Sequence, residues 1–304
     1  MTTATATTAG LSPPPGTTGA EPPPGRRPRQ RRSVTATVLL LLGAAYCLVP
    51  VLWVAIASSK SASELFSTFA LTPSTHLFDN IGDLSAYRGG LFWRWMANTA
   101  LYAGLGGLLS TAVSALTGYA LAMYRFPGRG LVFGVMLAGV LVPGVTLAIP
   151  QYLLLAKVGM TDTYWAVLLP NILSPYGIYL ARIYAAAAVP DTVLEAARTD
   201  GASEGRIFGR VALPMMLPGL VTVFLFQFVA IWNNFLLPFV MLSDDDKFPV
   251  TVGLFTLLNQ GQTVPALYSV VIIGVLISVV PLIALFLTLQ RYWRLDLVSG
   301  SVKG

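Results

Sequence analysis

Val34 to Ala57 is a run of 24 residues without a charged side chain. An α-helix rises 1.5 Å per residue, so about 20 apolar residues cross the hydrocarbon core of a bilayer. Five further uncharged segments come after it, at Met96–Met123, Leu131–Leu154, Thr163–Leu180, Val211–Leu242 and Pro265–Leu289. None of the five contains Asp, Glu, Lys or Arg. Hydrophobic residues make up 55% of the 304-residue chain and charged residues 11%. A soluble protein with so few charges would expose large apolar patches. The expected class is an all-α membrane protein with six transmembrane helices. Ala55-Ile56-Ala57 has the form of a signal-peptidase site, but the run before it exceeds the roughly 7–15 residues of a signal core. A first transmembrane helix at 34–57 is therefore expected.

Charge between the segments sets orientation. On the side of the N-terminus fall Arg26, Arg27, Arg29, Arg31, Arg32, Arg125, Arg129, Arg182, Arg198, Arg206, Arg210, Arg291, Arg294 and Lys303. The other five of the 19 basic residues, Lys60, Arg88, Arg94, Lys157 and Lys247, fall opposite. This asymmetry places both termini in the cytoplasm. It also reads the net charge of +6 as membrane topology and not as a nucleic-acid surface. The expected organisation is a disordered Pro/Arg-rich cytoplasmic tail at 1–33, the first helix at 34–57, an extracytoplasmic loop at 58–95, a membrane core at 96–290 and a cytoplasmic tail at 291–304. The proline triplets Pro13–Pro15 and Pro22–Pro24 forbid helix in the first tail.

Function classes fall away by absence. No Gly-Lys dipeptide occurs, so no P-loop can cradle a phosphate. With His76 as the single histidine, no His-x-x-x-His zinc pair is available. One cysteine excludes an intrachain disulfide framework. The segments hold no ionisable residue of the kind that proton coupling commonly uses. Sodium sites built from backbone carbonyls keep an ion-coupled secondary transporter as the alternative. The run Asp244–Asp246 reads as a solvated outer loop.

Two small-residue stripes mark the second segment. Ala103, Gly107, Thr111 and Ala115 form one, and Gly106, Ser110, Ser114 and Gly118 form the other. This spacing favours close helix packing in lipid. Gln227, Asn233 and Asn234 are uncharged hydrogen-bonding groups in the fifth segment. They suit either a path for a neutral polar solute or bonding between helices.

The most informative stretch is 190–214, on the cytoplasmic side. Thr192 and Glu195 have capping-box spacing for a helix start. Gly201 is placed to end that helix in the left-handed conformation. Ser203–Arg210 can form a second short helix presenting Ile207 and Phe208. The polar face is balanced, with Arg198, Arg206 and Arg210 against Asp191, Glu195, Asp200 and Glu204. A helix resting on lipid headgroups would favour a basic face. Balanced charge with Ala and Gly at the centre favours docking to a protein.

Glu195-Ala196-Ala197, Asp200-Gly201-Ala202, Ile207, Val211 and Leu213-Pro214 together resemble the "EAA" loop of permease subunits in binding-protein-dependent ABC importers. Trp232-Asn233-Asn234-Phe235 with Pro238 resembles a stretch of the sugar-importing branch, with Asn234 where an acidic residue is often seen. Gly300-Ser301-Val302-Lys303-Gly304 resembles the "GAVKG" tail of the maltose-type, MalG-like permeases, with Ser301 in place of Ala. The resemblance covers Val34 to Gly304. It implies the type I ABC importer permease fold and a non-enzymatic subunit that carries no cofactor of its own. ATP and Mg would lie on two separate ATP-binding subunits. The implied partners are those two subunits, a second permease subunit of the MalF-like kind, an extracytoplasmic solute-binding protein and membrane lipid. Glu195, Ala196, Ala197, Asp200, Gly201, Ala202, Ile207, Leu213 and Pro214 would couple to an ATP-binding subunit. Val302, Lys303 and Gly304 would touch the ATPase dimer, and Gln227, Asn233 and Asn234 are candidates for the translocation path.

Overall fold

The computed structural model describes residues 34–69 and 71–300. The tail expected at 1–33 and the residues Val302, Lys303 and Gly304 lie outside the described residues. Two units are distinguished, one ending at Leu48 and the other beginning at Val49. Helix α1 (Val34–Ala57) runs from the first into the second. The described residues of the first unit are all in that helix.

The second unit is all-helical among the described residues. After α1 come α2 (Ala62–Ser67), α3 (Leu77–Ala86) and α4 (Leu91–Met123). Next are α5 (Arg129–Leu141), α6 (Gly144–Lys157), α7 (Tyr164–Ile172), α8 (Pro175–Ala188) and α9 (Asp191–Thr199). A continuous helix, α10 (Glu204–Trp232), is followed by α11 (Leu236–Met241), α12 (Val250–Gly261) and α13 (Leu267–Gly300). Among the described residues, four helices are long and apolar enough to cross a membrane: α1, α4, α10 and α13. The count becomes five if α5 and α6 make a single span.

The six segments expected from the sequence differ from this in their continuity, and two of the breaks fall at residues that precede proline. The segment at Leu131–Leu154 breaks at Val142-Pro143, and its halves meet at a bend of 105°. The segment at Thr163–Leu180 breaks at Leu173-Ser174, before Pro175. A proline disfavours helical conformation in the residue before it. Val142 and Ser174 are accordingly extended, at ψ 119° and 107°. Pro50, Pro150, Pro170, Pro218 and Pro281 sit inside helices without ending them. Within the segment Val211–Leu242 the long helix ends at Trp232. Asn234 Oδ1 accepts from Leu237 N in the first turn of α11, whose N-cap is Phe235. The tail expected from residue 291 begins as helix, because α13 continues to Gly300.

Helix α4 is the axis of the bundle. It contributes Phe92 and Trp95 to one buried cluster, with Leu84, Leu254 and Ile273. Tyr102 and Ala103 join a second, with Val167, Ile231 and Trp232. Ala115 and Tyr119 join a third, with Ala181, Leu194, Ile207 and Met216. The stripes on α4 do bury: Ala103, Gly106, Gly107, Ser110, Ser114, Ala115 and Gly118 are all inside. They pack on α8 and α10. The approach is closest at Gly118, where an added Cβ would lie 2.6 Å from Arg182 N and 2.7 Å from Ala181 Cβ. The last carbonyls of α4 are capped by guanidinium groups. Arg182 Nε donates to Leu121 O, and Arg129 donates to Ala122 O and Tyr124 O. Cations at a helix C-terminus also favour its dipole.

The opposite end of α4 is held by the loop 243–248. Trp95 Nε1 donates to Asp245 O at 2.8 Å, Asn98 Nδ2 to Asp246 O at 2.8 Å, and Tyr102 OH to Lys247 O at 3.0 Å. Each member of the acidic run has a cation: Asp244 meets Lys247, Asp245 meets Arg88, and Asp246 meets Arg94. The run is therefore a clasp, more than the freely solvated loop its composition suggests. Asp162, at φ +56°, accepts from Ser243 N and Asp244 N, and its second oxygen meets Lys247.

Substitution at the closest approach checks this packing. Gly118→Val forces backbone and Ala181 apart and destabilises the bundle by roughly 1–3 kcal/mol. Thermal unfolding in detergent reads this as a lowered midpoint. Gly134→Ala, where nothing lies within 4 Å of the new Cβ, leaves the midpoint unchanged or raises it. Acid should loosen the clasp. Partial burial raises the Asp162 carboxyl, but the two loop amides and Lys247 outweigh it and hold the group below its ordinary value of 3.8. A depressed carboxylate stabilises the fold above that ordinary value, and the contribution is lost as pH falls from there through the native pKa. Hydrogen exchange at the amides of 243–248 should quicken in that window, and Asp162→Asn should quicken it already at neutral pH.

Candidate functional site

The segment 189–214 forms a closed helical knob. Helix α9 starts after Pro190, whose fixed φ suits the position. Thr192 and Glu195 do not form the expected capping box. The helix starts one residue before Thr192, so Thr192 lies inside the first turn and its side chain is not the cap. The other end is as expected. Gly201 adopts φ +77°, Gly201 N donates to Arg198 O, and Ala202 N donates to Ala197 O, both at 3.0 Å. This pair of bonds is the Schellman arrangement, which satisfies the last carbonyls of a helix and turns the chain.

The second short helix expected at Ser203–Arg210 is instead the first part of α10. Glu204–Ile207 is α-helical, Phe208–Ala212 forms a wider π turn with Leu213 N bonded to Phe208 O, and the α-helix resumes at Leu213. Ile207 is fully buried with Leu194 in the third cluster, so its side chain faces into the bundle. Burying two such side chains contributes roughly 1.5–3 kcal/mol each. They anchor the knob.

The remaining residues divide clearly. Glu195, Ala196, Asp200, Gly201 and Pro214 are exposed, whereas Ala197, Ala202 and Leu213 are half-buried. An added Cβ on Gly201 would meet nothing within 4 Å, so its left-handed backbone, and not crowding, calls for glycine.

One cluster was missed by sequence reasoning. Glu204 Oε1 accepts from Arg198 Nε at 2.8 Å. Glu204 Oε2 accepts from Tyr124 OH at 2.6 Å and from Arg198 Nη2 at 3.3 Å. Burial, and then the Glu204 carboxylate, push the Tyr124 hydroxyl above the ordinary tyrosine value. The nearby Tyr119 ring packs on Phe208 at 5.1 Å and edge-on to Tyr124 at 5.7 Å. Arg198 and Glu204 are six residues apart across a turn, a spacing no helical rule singles out. Tyr124 is 80 residues from Glu204 in sequence.

The candidate path residues are not brought together as one site. Gln227 is buried, and its Nε2 donates to Ser174 Oγ at 2.8 Å, a bond between α10 and the start of α8. Asn234 is engaged on both sides, by Leu237 N and by Thr251 Oγ1 on its carbonyl. Asn233 is exposed, with Nδ2 on Val229 O. It lines an apolar cleft of about 390 Å³ with Trp232, Phe235, Thr251, Leu254 and Phe255.

Comparison with known proteins places this arrangement. Residues 110–294 match the model of the family described as "Binding-protein-dependent transport system inner membrane component". The arabinooligosaccharides transport system permease protein AraQ of Halalkalibacterium halodurans is 34% identical over 284 residues, covering 91% of this chain and 100% of that one. The diacetylchitobiose uptake system permease protein NgcG of Streptomyces coelicolor is 30% identical, covering 90% and 88%. In fold, the chain resembles one from a bacterial ABC transporter involved in alginate import, with a TM-score of 0.74 at 24% identity over 85% of this chain and 95% of that chain. The chain belongs to the family of inner-membrane components of binding-protein-dependent transport systems.

Proposed function

We propose that the chain is a pore-forming permease subunit of an ATP-driven importer for a neutral sugar or oligosaccharide. In this reading a binding protein on the outer side delivers the solute and two separate subunits hydrolyse ATP. A second permease subunit completes the pore. The bent pair α5–α6 and the pair α7–α8 each count as one crossing, which makes six crossings with both termini in the cytoplasm. The α9–Gly201 knob is then the part that fits a groove in an ATP-binding subunit. Val302, Lys303 and Gly304 would reach the same subunits, and ATP with Mg would be bound there.

The observation that carries the reading is the knob itself. Glu195, Ala196, Asp200 and Gly201 are exposed on a turn closed by two backbone bonds, while Leu194 and Ile207 root it in the bundle. A rigid exposed projection with a balanced charge suits a protein groove. Sugars as the solute are supported by the relatives, whose names specify arabinooligosaccharides and diacetylchitobiose.

Two substitutions test the reading. A residue other than glycine in the left-handed conformation costs roughly 1–2 kcal/mol, and proline cannot adopt it. Gly201→Pro should therefore lower uptake about tenfold or more, with the subunit still inserted and its partners still hydrolysing ATP. Gly201→Asn, which tolerates this backbone, should stay near wild type. Full uptake by the proline variant would remove the docking role. Separately, Asn233→Leu should reduce uptake of labelled oligosaccharide without reducing assembly, and unchanged uptake would assign Asn233 to packing.

A further inference from the structure

We infer that Glu204, held by Arg198 and Tyr124, is a positioning residue that makes the docking knob and helix α4 move as one body. The inference rests on the importer reading. It concerns how movement of the knob reaches the membrane helices.

Glu204 stands where three elements meet. Arg198 belongs to the last turn of α9, Glu204 opens α10, and Tyr124 is the cap residue at the end of α4. Helix α9 has one buried residue, Leu194, so its grip on the bundle is narrow. The obvious route from the knob into the membrane would be along α10. That route passes at once through the π turn at Phe208–Ala212, with Gly205 just before it and Gly209 within it. Such turns have poorer bond geometry than the α-helix, and glycines add backbone freedom. The Glu204 cluster lies before that turn. It joins the knob directly to α4 through one charge-assisted bond of 2.6 Å from Tyr124 OH, while Arg198 holds the same carboxylate through two more of 2.8 and 3.3 Å. Two oxygens shared between a planar guanidinium and a phenol fix direction as well as distance. Tyr124 is fixed in turn, since Arg129 Nη1 donates to its carbonyl and its ring packs on Tyr119. Helix α4 then contributes to all three buried clusters.

The side chains of Arg198 and Glu204 are 40% and 50% exposed. An ion pair so exposed adds little to stability. Its effect is expected in the geometry of transmission and not in folding.

The test uses the complete transporter in proteoliposomes and reads solute imported per ATP hydrolysed. Tyr124→Phe and Glu204→Ala should each bring the ATP-hydrolysing subunits along in wild-type amounts and keep ATP hydrolysis within about twofold. Each should import about fivefold less solute per ATP, the scale of losing bonds to a charged group that is partly solvated. The two changes together should do no more damage than Glu204→Ala alone, because they break one joint. Exchanging the partners, Arg198→Glu with Glu204→Arg, should recover part of the ratio lost in Glu204→Ala, which a general packing defect would not do. An unchanged ratio in both single variants, in complexes that assemble normally, would overturn the joint and leave the importer reading intact. A wild-type chain that brought no ATP-hydrolysing subunit with it would overturn both.

Discussion

Small side chains on α4 let three helix backbones meet at van der Waals distance, and the rest of the bundle is arranged around that contact. Lipid gives no hydrophobic reason for helices to associate, because lipid tails are as apolar as leucine. Close packing has to supply it. Gly106 and Gly107 admit Ile231 and Phe224 of α10, and Gly118 admits the backbone of α8 at Ala181 and Arg182. Around those contacts the larger side chains complete three clusters, one near each end of α4 and one between. The two ends of α4 are then locked by polar groups. Arg129 and Arg182 cap its last carbonyls, and Trp95, Asn98 and Tyr102 hold the loop 243–248 against its first half.

The knob uses a different device. Its exposed surface needs no apolar contact of its own, because the turn at Gly201 is closed by backbone bonds and two buried side chains anchor it. The exposed residues of the turn are thereby free to be small and polar. A rigid projection fixed to a bundle with discrete packings is the kind of element through which a remote chemical event moves a membrane protein.

Much of this was legible in the sequence, residue by residue. Val34–Ala57 had the length and apolarity of a membrane-crossing helix, the stripe at Gly106, Ser110, Ser114 and Gly118 marked a packing face, and Gly201 marked a left-handed turn. Each rests on a local rule: segment length against bilayer thickness, four-residue spacing, and the steric freedom of glycine. Where local rules offered two answers, the chain chose by context. Pro143 and Pro175 break their segments while Pro150 and Pro281 do not, although the local sequence treats all four alike. The Thr192–Glu195 spacing permitted a cap that the start after Pro190 pre-empts.

By itself, the amino-acid sequence determined the apolar segments, the helical class, the orientation expected from charge, and the family resemblance of the stretch 190–214, because each depends on composition or on residues within one helical turn or two. The tertiary structure alone decided which motif residues face outward. It turned Ile207 inward with Leu194, gave Gln227 to Ser174 and Asn234 to Thr251, and brought Tyr124 to Glu204. Those pairings depend on how far apart helix backbones come to rest, a distance set by packing across the whole bundle and written in no single stretch of chain.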